Sequence, residues 1–445
     1  MEFVQAIRAR RSLRLALVGA GGKTTAMFQL AFQLEPPVLV SASTHLGVEQ
    51  TLQADAHFVL VPPVKVADLK NRLVGGVNLF TGPASEDNRT QGLAESDLEA
   101  LKELADELAC PLLVEADGSR RLPLKAPAEH EPPIPPWVNT VAVVAGLSGL
   151  FMPLSLQTIH RAERFAALSG VEMGQPVDMT AIVRVLLNPQ GGLKNIPSGV
   201  RKIVIFNQAD TPSQQIEAAR AVHELWRCYD SVLVTSLGQP ESAVHAVYEP
   251  TAGIILAGGS SERLGQPKAL LDWKGQPFIR KIVQTGLAAG LSFLTVIVGA
   301  IVEPIRQVLK DLPVNIVVNP DWQLGQSSSI RAGVQALPAQ AGSAIFMLCD
   351  QPQIPAELVH ALVEKHSHTL APVICPLVNG KRANPVLFDR DTFIDLARLQ
   401  GDVGGRAIFS KYPPEWLPWP DSSITFDVDT PEDYRRLLEI GEGND

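Results

Sequence analysis

Two short stretches combine glycines with cations in a way that suits phosphate. The first is Gly19-Ala20-Gly21-Gly22-Lys23-Thr24-Thr25, and the second runs from Leu256-Ala257-Gly258-Gly259 through Arg263 and Gly265 to Lys268. Glycines let backbone amides approach an anion without side-chain obstruction, and amides at a helix N-terminus face it with partial positive charge. In the first stretch the usual phosphate-loop spacing fails, because the position five residues before Gly22 is Leu17; the glycine stands three residues before instead. The shortened cradle keeps its physics: Lys23 supplies a point charge, and Thr24 can reach a magnesium ion. A tight glycine turn with a surface lysine is the competing reading.

Carboxylates follow both loops at intervals suited to metal-assisted phosphate chemistry. PLLVEADGS ends an apolar run in Glu115 and Asp117, where a metal- or water-orienting carboxylate belongs, although acidic residues at strand ends are often only solvated. IFNQAD offers Asn207 and Asp210, an amide and a carboxylate spaced to meet a purine edge or to cap a loop. Downstream of the second loop, IFMLCDQPQI places Asp350 after an apolar run, and FDVDTPEDY brings Asp427 and Asp429 to one face if that segment is extended. One of these two is expected to be the second carboxylate for Mg²⁺, with Asp427 favoured; Thr430 and Asp433 read as the cap of the helix that follows. Ser327, Ser328 and Ser329 could meet a base or ribose, or cap a helix.

These residues need scaffolds, and the apolar pattern supplies them. The runs 13–19, 37–43, 111–117, 140–146, 201–210 and 231–236 are continuous and rich in Val, Ile and Leu, as in parallel strands covered on both faces. Residues 93–108 carry apolar positions at helical spacing. A second strand series starts at 253–259 and continues at 293–300, 314–320, 343–350 and 372–378. The stretch 236–253 holds glycines and prolines without a strong pattern and reads as a boundary. The expected architecture is α/β: two doubly wound, mainly parallel sheet domains, the first P-loop NTPase-like over 1–245 and the second Rossmann-like over 252–445.

The chain of 445 residues suits two or three domains, and 46% hydrophobic with 19% charged residues is ordinary for a globular α/β protein. Its net charge of −9 is spread evenly, with 26 acidic and 21 basic residues in the first 250 positions, which argues against nucleic acid as partner. Four cysteines, at 110, 228, 349 and 375, form no CxxC pair, so neither a zinc ribbon nor an iron–sulfur cluster is indicated. The arginines near the N-terminus precede an apolar run that feeds the first glycine loop, so a strand explains it better than a signal peptide. No apolar stretch is long enough for a membrane span. The cytoplasm is the expected location.

The first cradle resembles that of the Mur ligases, and Asn207-Gln208-Ala209-Asp210 is similar to the guanine-reading NKxD element of GTPases with Gln208 in place of the lysine. Residues 10–240 as a whole resemble the YqeC family, the selenium-dependent molybdenum hydroxylase accessory proteins. The shared pattern is GxGGKTT, Thr44-His45, ADG…PLKAP..HEP with Lys125, His130 and Glu131, and His160-Arg161. The spacing of His45 and His130 supports no metal site. The second loop matches LxGGxSxRxGxxK of nucleotidyltransferases, and Asp350-Gln351-Pro352 is similar to their metal-binding DxP turn. Residues 252–437 resemble the MocA-like molybdenum cofactor cytidylyltransferases, with GKRANPVLF (380–388) and LQGDVGGRAIF (399–409) on the substrate side. Two positions depart from that family: Leu256-Ala257-Gly258-Gly259 stands where LAAG is usual and is more typical of guanylyltransferases, and Ala383-Asn384-Pro385 replaces Gly-His-Pro.

The resemblance implies that the second domain transfers a nucleotide, CMP first and GMP as alternative, onto molybdopterin. Arg263, Lys268 and Asp350 would carry the catalysis, and Leu256, Ala257, Gly258, Gly259, Gly265, Ser327 and Ser328 would bind the nucleotide. Asn384, Pro385, Gly404 and Gly405 would meet the acceptor, and Asp350 with Asp427 or Asp429 would hold Mg²⁺. In the first domain Gly19, Gly21, Gly22, Lys23, Thr24, Thr25, Asn207 and Asp210 would bind ATP or GTP, with Thr24, Glu115 and Asp117 near its metal. An apo molybdenum hydroxylase is the implied protein partner. Two other readings stay open: a sugar- or polyol-phosphate nucleotidyltransferase, and a carrier that hands finished cofactor to a hydroxylase.

Overall fold

A computed structural model of the protein describes residues 1–61, 65–239, 244–259 and 264–442. Two compact units emerge, Met1–Tyr248 and Glu249–Asp445.

The first unit is built on a nine-stranded sheet: β1 (Arg14–Gly19), β2 (Val38–Ala42), β3 (Ala56–Val59), β4 (Val77–Thr81), β5 (Leu112–Glu115), β6 (Thr140–Gly146), β7 (Arg201–Asn207), β8 (Ser231–Thr235) and β9 (Val244–Tyr248). Their spatial order is β9-β8-β7-β6-β1-β5-β2-β4-β3. Every pairing is parallel except β8 with β9. β2, β5, β6 and β8 are buried along their whole length, as their unbroken apolar sequences require when helices cover both faces. Helix α1 (Lys23–Gln33) follows the glycine loop, and α2 (Glu95–Glu107) buries Leu98, Leu101 and Leu104 from the expected helical stretch. β9 lies inside the stretch that reads as a patternless boundary. An edge strand pairs on one side only and needs little apolar patterning, which is why it is hard to read. The short strands β3 and β4 are likewise absent from the sequence reading.

The second unit has its own sheet: β10 (Thr251–Ala257), β11 (Phe293–Val298), β12 (Asn315–Val318), β13 (Ser343–Leu348), β14 (Val373–Val378), β15 (Lys381–Arg382), β16 (Val386–Asp389) and β17 (Glu415–Pro418), ordered β12-β11-β10-β13-β16-β14-β15 with β17 beside β14. The half from β12 to β13 is parallel. The other half is mixed, because β16 runs antiparallel to both β13 and β14. Helices α3 (Phe278–Ala288), α4 (Gln326–Gln335), α5 (Ala356–Thr369) and α6 (Pro431–Glu442) are the longest of the unit among the described residues. In both sheets the parallel strands present their carboxyl ends on one edge, where open α/β folds collect ligands. Among the described residues no helix is long and apolar enough to cross a membrane.

Candidate nucleotide sites

In the first unit β1 runs into the cradle and α1 leaves it, with Gly22 in the N-cap position at φ 111°. A side chain at Gly22 would meet Asn207 Nδ2 at 2.4 Å, and one at Gly19, φ 96°, would meet the Val144 carbonyl oxygen at 2.2 Å. The loop therefore needs glycine for backbone angle and for space alike. Lys23, 3% exposed, donates from Nζ to the Gly19 carbonyl at 2.7 Å and lies 3.3 Å from Asp117 Oδ1 and 3.7 Å from Glu115 Oε1. Thr24 donates its hydroxyl to Glu115 Oε2 at 2.7 Å, and the Gly19 amide donates to the Asp117 carboxylate at 3.1 Å. Burial pushes the Glu115 carboxyl above its ordinary range, with Lys23 and the Thr24 hydroxyl pulling the other way. Thr25 lies in the first turn of α1.

A chain of buried charges leads away from this loop. Lys125 Nζ donates to Asp117 Oδ2 at 2.7 Å, to the Gly118 carbonyl at 2.7 Å and to Glu131 Oε2 at 2.8 Å, and Arg161 grips Glu131 through both guanidinium nitrogens at 2.8 and 2.7 Å. Burial works against the Glu131 charge, but Arg161 and Lys125 outweigh it and hold the carboxyl down at about 2. His160, paired across from Lys125 in a short parallel bridge, is lowered to about 4 by burial and by Arg161 and Lys125. The structure therefore joins Lys125, Glu131, His160 and Arg161 to the cradle through Asp117. His130 and His45 take no part in that chain, and the His45 ring instead meets the Thr90 carbonyl at 2.9 Å.

Asn207 faces the chain itself. Its Nδ2 donates to the Gly21 carbonyl at 2.7 Å, and its Oδ1 accepts from Leu237 N at 2.9 Å and Thr235 Oγ1 at 3.1 Å. This amide acts as a strut beneath the glycine loop, with Oδ1 and one Nδ2 hydrogen engaged by the fold. Asp210 is exposed, and Gln208 at φ 59° turns its side chain to the Ser148 hydroxyl.

In the second unit Lys268 is the hub. Its ammonium hydrogen-bonds Asp429 and lies 3.4 Å from Asp350 Oδ2. Burial works against the Lys268 charge, yet Asp429 and Asp350 raise its pKa above the ordinary lysine range. Asp350 stands two residues beyond the end of β13. Burial pushes its carboxyl upward against the pull of Lys268, and its Oδ1 is buried without a hydrogen-bond partner. Asp427 is also raised, first by burial and then by the Asp350 charge, while accepting from Gln351 Nε2 at 2.6 Å. Thr430 and Asp433 cap α6 reciprocally, as read from sequence.

Leu256, Asp427, Asn384, Gly404 and Gly405 line one cavity of about 500 Å³, together with Gln351, Arg382 and Arg406. The last three carry no expected role from sequence, although Arg382 and Arg406 lie inside GKRANPVLF and LQGDVGGRAIF, where a cation beside a substrate phosphate is the signal that could have found them. Ala257 closes β10 and Gly258 follows it, packed so that a side chain there would meet Ser329 Oγ at 2.9 Å. Gly265 takes φ 67°, the left-handed turn expected between the two cations. Arg263 lies outside the described residues. Pro385 follows Asn384 through a cis peptide bond. Ser327 donates to the Gly401 carbonyl at 2.6 Å and Ser328 to the Gly325 carbonyl at 2.8 Å, and both are buried. These hydroxyls fasten the start of α4.

Oxygen donors fit a hard divalent cation, and magnesium is commonly held by one or two carboxylates with substrate phosphates and water completing the shell. Asp350, with its unpartnered Oδ1, and Asp427 match that description. Among the described residues no three His, Cys, Asp or Glu side chains form a ready-made cage, so substrate oxygens must complete any such site.

Residues 15–163 match the family model described as YqeC protein, and residues 253–416 match the MobA-like NTP transferase domain. The chain is 32% identical over 222 residues to "Uncharacterized protein YqeC" of Escherichia coli (strain K12), covering 48% of this chain and 82% of that protein. It is 31% identical over 198 residues to "Nicotine blue oxidoreductase" of Paenarthrobacter nicotinovorans, covering 42% of this chain and 95% of that one. A "Probable molybdenum cofactor guanylyltransferase" of Bacillus mycoides (strain KBAB4) is 32% identical over 131 residues, 29% of this chain and 64% of its own length. Among solved structures, Rv0371c from Mycobacterium tuberculosis H37Rv aligns with 43% of this chain and 97% of its own at 28% identity and a TM-score of 0.40.

Proposed function

The chain belongs to the YqeC family and carries a MobA-like NTP transferase domain in the same polypeptide, and from that premise we propose a two-site protein of molybdenum cofactor maturation. The second unit transfers CMP from CTP to the terminal phosphate of molybdopterin. An acceptor oxygen attacks the α-phosphorus in line, the P–O bond to the β-phosphate breaks, and pyrophosphate leaves. The observation that carries this reading is the cluster of Lys268, Asp350 and Asp429 beside Asp427 and Gln351, the last two of which line a 500 Å³ cavity together with Asn384, Gly404, Arg382 and Arg406. Such a reaction needs positioning and charge neutralisation more than covalent help.

Lys268 supplies a cation, held by Asp350 and Asp429 until triphosphate arrives. Asp350 and Asp427 would hold Mg²⁺, which would neutralise charge on the phosphates. Gln351 fixes Asp427 through its amide. Arg382 and Arg406 hold the acceptor's phosphate at the opposite side of the cavity, and Asn384 hydrogen-bonds the acceptor beside it. GMP transfer is the second reading, favoured by Gly258 in the loop and by relatives named as guanylyltransferases.

The first unit binds ATP or GTP at Gly19–Thr25 and cleaves it in an accessory step on the same cofactor, in the cytoplasm, before delivery to an apo hydroxylase. The test is pyrophosphate release by the full chain with Mg²⁺, molybdopterin, and CTP, GTP or ATP separately. Release dependent on molybdopterin and lost in Asp350→Ala is expected, and the productive triphosphate names the base. Release with a sugar phosphate instead would favour the wider nucleotidyltransferase reading, and tight cofactor binding without release would favour a carrier. Because one relative is named as an oxidoreductase, NAD(P)H consumption is followed in parallel; turnover there without pyrophosphate would refute the transferase reading.

A further inference from the structure

At the carboxyl end of β2 stand two hydroxyls that the fold does not use. Ser43 Oγ and Thr44 Oγ1 are buried, and neither has a hydrogen-bond partner. The cost of an unsatisfied buried polar group is high enough that each one calls for an explanation, such as a ligand yet to arrive. The backbone around them is tightly fixed. The Ser43 amide donates to the Glu115 carbonyl at 3.0 Å, and Arg89 reaches the His45 carbonyl at 2.8 Å. Gly92 packs so close that a side chain there would stand 2.4 Å from the Ser43 carbonyl group and 2.7 Å from Thr44 N. Two unpartnered hydroxyls therefore sit on a backbone segment held in place from both sides.

Strand order says which part of a nucleotide they would meet. Across the sheet the sequence is β7-β6-β1-β5-β2, with the cradle at the end of β1. Asn207 underpins the loop from the β7 side, whereas Thr24 and Glu115, the pair suited to a metal ion, lie on the β5 side, next to β2. In the parallel register Ala42 stands opposite Glu115, so Ser43 and Thr44 follow immediately beyond the carboxylate. The metal ion and the terminal phosphate belong on this side. Hydroxyls suit that place because they donate to phosphate oxygens without adding negative charge beside Glu115 and Asp117.

We propose that Ser43 and Thr44 form a sensor for the terminal phosphate of the nucleotide bound at Gly19–Thr25, so that the first unit distinguishes a nucleoside triphosphate from the diphosphate. The proposal rests on the reading of that loop as a nucleotide site. The experiment titrates the full chain with fluorescent N-methylanthraniloyl derivatives of ATP, ADP, GTP and GDP in Mg²⁺. It counts only the binding that Lys23→Met abolishes, which separates this site from the second unit. Wild type is expected to prefer triphosphate, and Thr44→Val and Ser43→Ala to lose about ten- to hundredfold of that preference with diphosphate affinity kept, since hydrogen bonds to charged oxygens are the strong ones.

Without nucleotide, Thr44→Val should unfold at the same temperature as wild type or higher, because it removes only an unpaired polar atom. A Thr44→Val protein with unchanged triphosphate preference, or one that unfolds earlier and loses both nucleotides together, overturns the sensor and leaves the cradle reading intact. If Lys23→Met removes no binding of any of the four nucleotides, the cradle reading falls and the sensor with it.

Discussion

Truncating Asn207 distinguishes a loop strut from a base reader. Asn207→Ala removes the donor to the Gly21 carbonyl at 2.7 Å and the acceptor for Leu237 N at 2.9 Å, both in the interior. Each buried group left unsatisfied costs about 1–3 kcal/mol, so the expected destabilisation is ~3 kcal/mol. In a unit of this length each kcal/mol moves the midpoint by about 2–4 °C, which gives a fall of roughly 6–12 °C. Gly22→Ala tests the same contact from the other side: the new Cβ would lie 2.4 Å from Asn207 Nδ2 at a backbone φ of 111°. The strain at that φ, of order 1–3 kcal/mol, persists in either background, but the clash disappears once Asn207 is alanine. The double variant should therefore be less destabilised than the sum of the singles by about 1–2 kcal/mol. Thermal unfolding by calorimetry gives the magnitudes, and hydrogen exchange in β1, β6 and β7 assigns them to the first unit. An Asn207→Ala protein with unchanged stability but altered preference between ATP and GTP would refute the strut.

Other consequences can be checked as directly. Asp350→Asn should abolish pyrophosphate release and weaken Mn²⁺ binding, read by electron paramagnetic resonance, while leaving nucleotide binding at the first loop unchanged. Because burial raises the Asp350 and Asp427 carboxyls, Mn²⁺ affinity should fall on acidification with a midpoint above the ordinary carboxylate range, and Lys268→Met should move that midpoint higher by removing the cation that opposes the shift. His160 titrates at about 4 in the fold against about 6.5 unfolded, so the unfolded chain binds more protons between those values. Stability of the first unit should therefore be complete above pH 6.5 and decline toward pH 4, with a shallower decline in His160→Asn, measured by urea unfolding. Burial pushes the Cys375 thiol up to about 11, so in the native protein Cys375 should resist iodoacetamide while the less buried Cys228 is alkylated first.

Much of the scaffold is written locally. Unbroken Val, Ile and Leu runs mark β1, β5, β6 and β10 because a strand covered on both faces must be apolar throughout, and the glycine at position 22 announces a backbone angle that only glycine adopts cheaply. The same local chemistry brings Lys23 and Lys268 to notice, since a lysine just after such a loop has few other reasons to be there. Short or edge strands carry no comparable mark, which is why β3 and β9 stay hidden and the boundary reads as patternless.

What sequence cannot supply is the partner of each polar atom, because those partners lie tens or hundreds of residues away. The amide of Asn207 has the right type for a purine edge, yet the fold places it under Gly21, 186 positions earlier in the chain. Ser327 and Ser328 have the right type for a ribose, yet in the fold Ser327 bonds the Gly401 carbonyl, 74 positions away, and Ser328 the Gly325 carbonyl at the start of its helix. Conversely, Gln351, Arg382 and Arg406 gain their place only because the end of β13, β15 and the 399–409 segment meet at one cavity. Residue type and spacing determine which chemistry the chain can attempt. Burial and long-range register decide which polar atoms are consumed by the fold and which, like Asp350 Oδ1 and Thr44 Oγ1, are left buried without a partner.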